Sequence, residues 1–189
     1  MVAPPVHTVT IEQFHDFFLL AGTAAATLMG LLFVSISLHL EMVVHDRGRH
    51  LNAMAWESFY GFIEVLAISL MFLVPETPLR MLGIQLITLG SIRLGIMLIN
   101  SRHLLGPGDA VVTRKVLIRR FLPHVVANVF LILVGRKLIT GTMDSDGVSM
   151  LVTTIILLII TATGSAWDLM IRIGRLKMLQ SREAGQGIE

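Results

Sequence analysis

The chain has 189 residues, 54% of them hydrophobic and 15% charged, with a mean hydropathy of +0.77. It is too apolar for an ordinary soluble domain and too long for a single anchor, so an all-α, polytopic transmembrane helical bundle is expected. The net charge of +2 accompanies no nucleic-acid-binding module, and the absence of cysteine excludes disulfides, thiolate metal sites and cysteine nucleophiles.

The first 18 residues contain no Lys or Arg, so the chain lacks the positive region of a secretory signal, and this end is expected to persist in the mature protein. Residues 17–40 then run without a carboxylate, lysine or arginine. As a helix they reach about 36 Å, enough to cross a hydrocarbon core of about 30 Å. Gly22, Ala26 and Gly30 recur every fourth residue there and are expected to let a second helix approach closely. Thr23, Thr27 and Ser37 add hydroxyls to the same span.

A second span is expected over 53–74, interrupted by Glu57 and Glu64, and a third over 81–100, carrying Arg93. Pro75 and Pro78 bound the tight connection between them, so an antiparallel hairpin is expected. The segment 101–120 is the most basic, with Arg102, Arg114, Lys115, Arg119 and Arg120, and reads either as a helix on the membrane surface or as an irregular loop. A fourth span over 121–139 is short between Arg120 and Arg136, and its Pro123 falls either in the first turn or inside a helix that began earlier. The fifth is expected over 148–170, closing on Trp167 and Asp168 before a basic tail. Five spans collect Arg47, Arg49, the 101–120 cluster and the tail on one side, against chiefly Arg80, Arg136 and Lys137 on the other. The positive-inside rule then puts the N-terminus outside and the C-terminus in the cytoplasm.

Chemistry is sought where ionisable groups fall inside spans. Glu57 and Glu64 are two helical turns apart and share a face, and Arg93 is expected at a depth between them. An unpaired charge there costs at least about 2.5 kcal/mol, so Arg93 is expected to pair with one glutamate, leaving the other for a structural or an ion-path role. His124 and Asn128, four apart, face one way, and a histidine titrates near neutrality, although a plain hydrogen bond is the simpler use. Thr154, Thr161, Ser165, Asp168 and Arg172 form a polar stripe on the fifth span, which lines an aqueous route or bonds its own backbone. His39, Glu41, His45, Asp46 and His50 lack one-face spacing, so no metal site is assigned and no cofactor is expected. No catalytic motif is present, and no enzymatic activity is expected.

At FHDFFLLAGTAAATLMGLLFVSISLHLE and LVPETPLRMLGIQLITLG, the chain resembles a loose group of small multi-pass bacterial membrane proteins, some labelled as modulators of a membrane-bound protease. The resemblance implies a bacterial cytoplasmic (inner) membrane. Two functions are carried forward. One is an oligomeric channel or transporter-like protein for protons or small ions, with Glu57, Glu64, Arg93, His124, Asn128, Thr154, Thr161 and Asp168 along the route; in so small a bundle the pore is expected between identical subunits. The other is a regulatory or scaffolding subunit that binds another membrane protein or anionic lipid through Arg114, Lys115, Arg119 and Arg120.

Overall fold

The computed structural model describes residues 14–38, 49–104 and 110–186, with side chains for 14–38, 55–99, 122–175 and Met178. Among the described residues the regular elements are five helices: α1 (His15–Leu38), α2 (Arg49–Leu73), α3 (Leu79–Leu104), α4 (Ala110–Thr140) and α5 (Ser145–Gln186). Each contains a stretch long and apolar enough to cross a membrane: His15–Leu38, Ala55–Leu73, Leu79–Ile99, Leu122–Thr140 and Ser145–Arg175. Large apolar side chains such as Leu20, Phe33, Ile92, Ile160 and Trp167 point outward, as lipid-facing surfaces require.

The turns follow local chemistry. Pro75 ends α2, Glu76 takes a left-handed φ of 61°, and the Pro78 carbonyl accepts the first hydrogen bonds of α3 from the N–H groups of Met81 and Leu82. Between α4 and α5, Gly141 has φ 69°, and the Thr142 N–H returns to the Lys137 carbonyl at 3.0 Å, closing α4. Asp144 opens α5: its Oδ1 accepts the Gly147 N–H at 2.8 Å and Lys137 Nζ at 2.8 Å. Those two donors hold the exposed Asp144 carboxyl below the usual aspartate value, the Lys137 hydrogen bond contributing most.

α2 packs on α1 and α5, and α4 packs on α5 and α3. Phe18, Ala21, Ala25, Val65, Ile68, Leu86, Leu131, Ile155 and Leu158 form the main core, with Phe18 stacked on Phe72 at 4.6 Å. A second cluster holds Leu32, Ala55, Phe62, Ala162, Leu169 and Ile173.

Two expectations need correction. The short 74–78 connection does join α2 to α3, but these helices touch only slightly and α3 lies on α4 instead. Glycine explains the choice: a Cβ built on Gly83 would stand 2.5 Å from the Gly135 carbonyl oxygen, so the α3 and α4 backbones meet where neither carries a side chain. In the same way a Cβ on Gly61 would stand 2.8 Å from the Ala162 Cβ, setting α2 close to α5. Second, the basic segment and the fourth span are not separate: α4 is helical from Ala110, with Pro123 inside it, so 110–120 is neither a loop nor a separate surface helix. An interior proline removes one backbone donor, a cost that helices within a bundle absorb.

Candidate functional site

Glu57, Glu64, Arg93 and His124 converge where α2, α3 and α4 face one another. Two-turn spacing on α2 points Glu57 and Glu64 the same way, and Tyr60 falls between them on that face. Glu64 lies at the middle of the Ala55–Leu73 span and is buried, with 2% exposure. Arg93 reaches it across the gap between α2 and α3, placing Nε 3.6 Å from Glu64 Oε2. The same guanidinium donates from Nη2 to the Glu57 backbone carbonyl at 3.4 Å, and its Cζ stands 5.3 Å from the centre of the Tyr60 ring. Arg93 is thus shared among three acceptors on α2, a carboxylate, a carbonyl and an aromatic face, and holds none at short range.

From α4, His124 is buried with its Nδ1 4.0 Å from Glu57 Oε1. Asn128 is also buried; its Nδ2 donates to the His124 carbonyl at 3.0 Å, and its amide borders the Glu64 carboxyl. Both Glu64 oxygens are enclosed, and although Arg93 and the Asn128 amide stand beside them neither oxygen receives a well-formed hydrogen bond; Asn128 Oδ1 receives none either. A buried carboxylate without well-formed hydrogen bonds is costly unless it takes up a proton, a cation or water. The arrangement supplies an acceptor site next to a cation that has other places to rest.

The remaining candidates lie elsewhere. Thr154 is buried, but its hydroxyl donates to the Met150 carbonyl at 2.7 Å, and Thr161 donates to the Leu157 and Leu158 carbonyls. Asp168 is exposed. The Thr154 and Thr161 hydroxyls therefore serve their own helix, and the inner face of α5 presents Leu151, Ile155, Leu158 and Ala162 together with the buried Ser165. On α1, Thr23, Thr27 and Ser37 likewise donate to carbonyls four residues back. Gly22 is a true close contact, where an added Cβ would lie 2.9 Å from the Ser69 Cβ. Ala26 and Gly30 instead face outward, and Ala21 and Ala25 complete the seam. The reason is helical pitch: each four-residue step turns about 40° past a full circle, so Gly30 has rotated roughly 80° from Gly22. Arg114, Lys115, Arg119 and Arg120 fall on α4, with side chains outside the described residues. His39, Glu41, His45 and Asp46, and the His50 side chain, also lie outside them. Among the described residues no group of three or more His, Asp or Glu is placed to hold a metal ion.

Tyr60 and Gln85 have no part in the sequence-based expectations. Tyr60 had a signal, since it stands three residues after Glu57 and four before Glu64. Gln85 is an uncharged polar residue inside the third span, and it lines a cavity of about 250 Å³ together with Leu70, Met71, Val74 and Thr77. Comparison with family models, with curated proteins and with solved structures finds no match to this chain.

Proposed function

We propose that this chain is a transporter-like or channel-like membrane protein for protons or small cations, with Glu64 as the group that takes up and releases the ion. The observation that carries the reading is the state of that carboxylate: buried at mid-span, 3.6 Å from Arg93 and beside the Asn128 amide, with no well-formed hydrogen bond to either oxygen. When Glu64 accepts a proton, Arg93 keeps the Glu57 carbonyl and the Tyr60 ring, so its charge is not stranded. When Glu64 gives the proton up, the ion pair re-forms. His124, beside Glu57, continues the titratable groups toward the opposite end of the span. The reading sets the protein in a bacterial cytoplasmic membrane with its C-terminus inside, supported by the basic residues that five spans collect on one side. Assembly of identical subunits belongs to the same proposal.

The test is flux in proteoliposomes driven by a potassium diffusion potential. Wild-type protein should acidify the lumen well above empty liposomes. Glu64→Gln should lower the rate at least tenfold while remaining folded, and Asp144→Asn should not lower it. Sodium uptake followed under the same potential separates the two cations. Flux equal to empty liposomes across pH and voltage removes the proposal.

A second reading draws on the same contacts. Arg93 ties α3 to α2 where the two helices scarcely touch, which suits a purely structural role in a regulatory or scaffolding subunit that binds another membrane protein or anionic lipid. On that reading Glu64→Gln lowers stability, flux is absent in every variant, and recovery of a partner depends on Arg114, Lys115, Arg119 and Arg120.

A further inference from the structure

We infer that the seam between α2 and α3 is a hydrated access route to Glu64, opening beside the 74–78 connection, with Gln85 as its polar wall. The inference rests on the proposed uptake of ions at Glu64 and specifies the path by which they arrive.

Three observations carry it. The seam is open because α3 is drawn onto α4 by the Gly83–Gly135 contact and by Gly90, whose added Cβ would meet Ile132 at 3.1 Å and the Asn128 carbonyl at 3.2 Å. The cavity sits in that seam, walled by Leu70, Met71 and Val74 from the end of α2, Thr77 from the connection and Gln85 from α3. At about 250 Å³ it has room for several waters; the Gln85 amide offers them donors and an acceptor, and the Thr77 hydroxyl, which donates to the Val74 carbonyl at 3.2 Å, offers only its lone pairs.

The cavity also aligns with Glu64. Met71 is seven residues beyond Glu64, so it lies within about 20° of the same face and roughly 10 Å along the axis. Gln85 lies within a quarter turn of the Arg93 face of α3. Measured from the connection, Gln85 stands level with Ala67, about one turn from Glu64. Ala67 places only a methyl group in the interval. Beside it, Ile68 and Leu86 are fully buried and keep that last turn narrow. Water reaching Gln85 from the connection is thus one helical turn from the buried carboxylate.

The chain has no cysteine, so single-cysteine variants carry no background. Met71→Cys, Thr77→Cys and Gln85→Cys, reconstituted in vesicles, are treated with a cationic, membrane-impermeant methanethiosulfonate, and modification is followed by mass. Ile84→Cys serves as control, one residue from Gln85 and pointing away from the Arg93 face. The seam variants, Met71→Cys and Gln85→Cys, should react at least tenfold faster than Ile84→Cys. If both react no faster than Ile84→Cys, while Thr77→Cys reacts and denatured protein labels fully at every site, the route is wrong. Labelling and flux fail separately: flux with an unreactive seam overturns the route alone, and a reactive seam without flux overturns transport alone.

Discussion

At the scale of single residues, Arg93 decides whether the centre of the bundle is affordable. Removing it leaves Glu64 buried beside no cation among its described neighbours, so Arg93→Leu should cost about 3–5 kcal/mol, the usual result of breaking a buried pair from one side. The double variant Arg93→Leu with Glu64→Leu should recover much of that loss, which unfolding in graded denaturing detergent would show; an additive double variant would mean the two groups do not interact. Tyr60→Leu should cost about 1 kcal/mol by the same measurement, since it removes one of the three resting places of the guanidinium. Much of this was legible in the sequence. The two-turn interval fixes Glu57 and Glu64 on one face, and counting back from the connection gives the depth of Arg93. What the spacing could not supply is how the guanidinium divides itself, because a carbonyl or ring acceptor depends on which backbone lies opposite.

At the scale of elements, the partner of each helix is chosen by where backbones can touch. Gly135→Ala should weaken the α3–α4 contact by about 1–3 kcal/mol, because the new methyl meets backbone that has no side-chain freedom to yield. Gly30→Ala, with open space around it, should be neutral, and the pair of thermal unfolding curves gives the contrast. The five apolar runs announce the helices themselves, since length and hydropathy are properties of a segment. Which helices pair is a property of two surfaces at once, and a short connection was a poor guide beside Gly83, Gly90 and Gly135. The turn before α5 adds a prediction for acid. Asp144 is held below its ordinary value when folded, so its contribution is present above the unfolded value and lost as the pH falls through the folded one. Asp144→Asn should flatten the acid side of the stability profile and leave the neutral side sloping as before.

At the scale of the whole molecule, the buried glutamate–arginine pair lies in one place and the threonine hydroxyls of α1 and α5 in another. A bundle with Glu57, Glu64, Arg93, His124 and Asn128 gathered between three helices, and with α5 turning leucine and isoleucine inward, concentrates its buried polar chemistry at the α2–α3–α4 junction. Sequence pattern spread the candidate residues over α1 and α5 as well, because a helical wheel shows a hydroxyl but not the carbonyl four residues back that occupies it. The helix least involved in that chemistry is also the longest. α5 runs from Ser145 to Gln186, while its membrane-compatible stretch ends at Arg175. From Leu158 in the core to the last helical residue is about 42 Å at 1.5 Å per residue, so a tilt of about 10° pivoting at Leu158 sweeps Gln186 through roughly 7 Å. The length of α5 therefore sets a lever ratio: a small tilt about Leu158 would be enlarged at the end that extends past the membrane-compatible stretch.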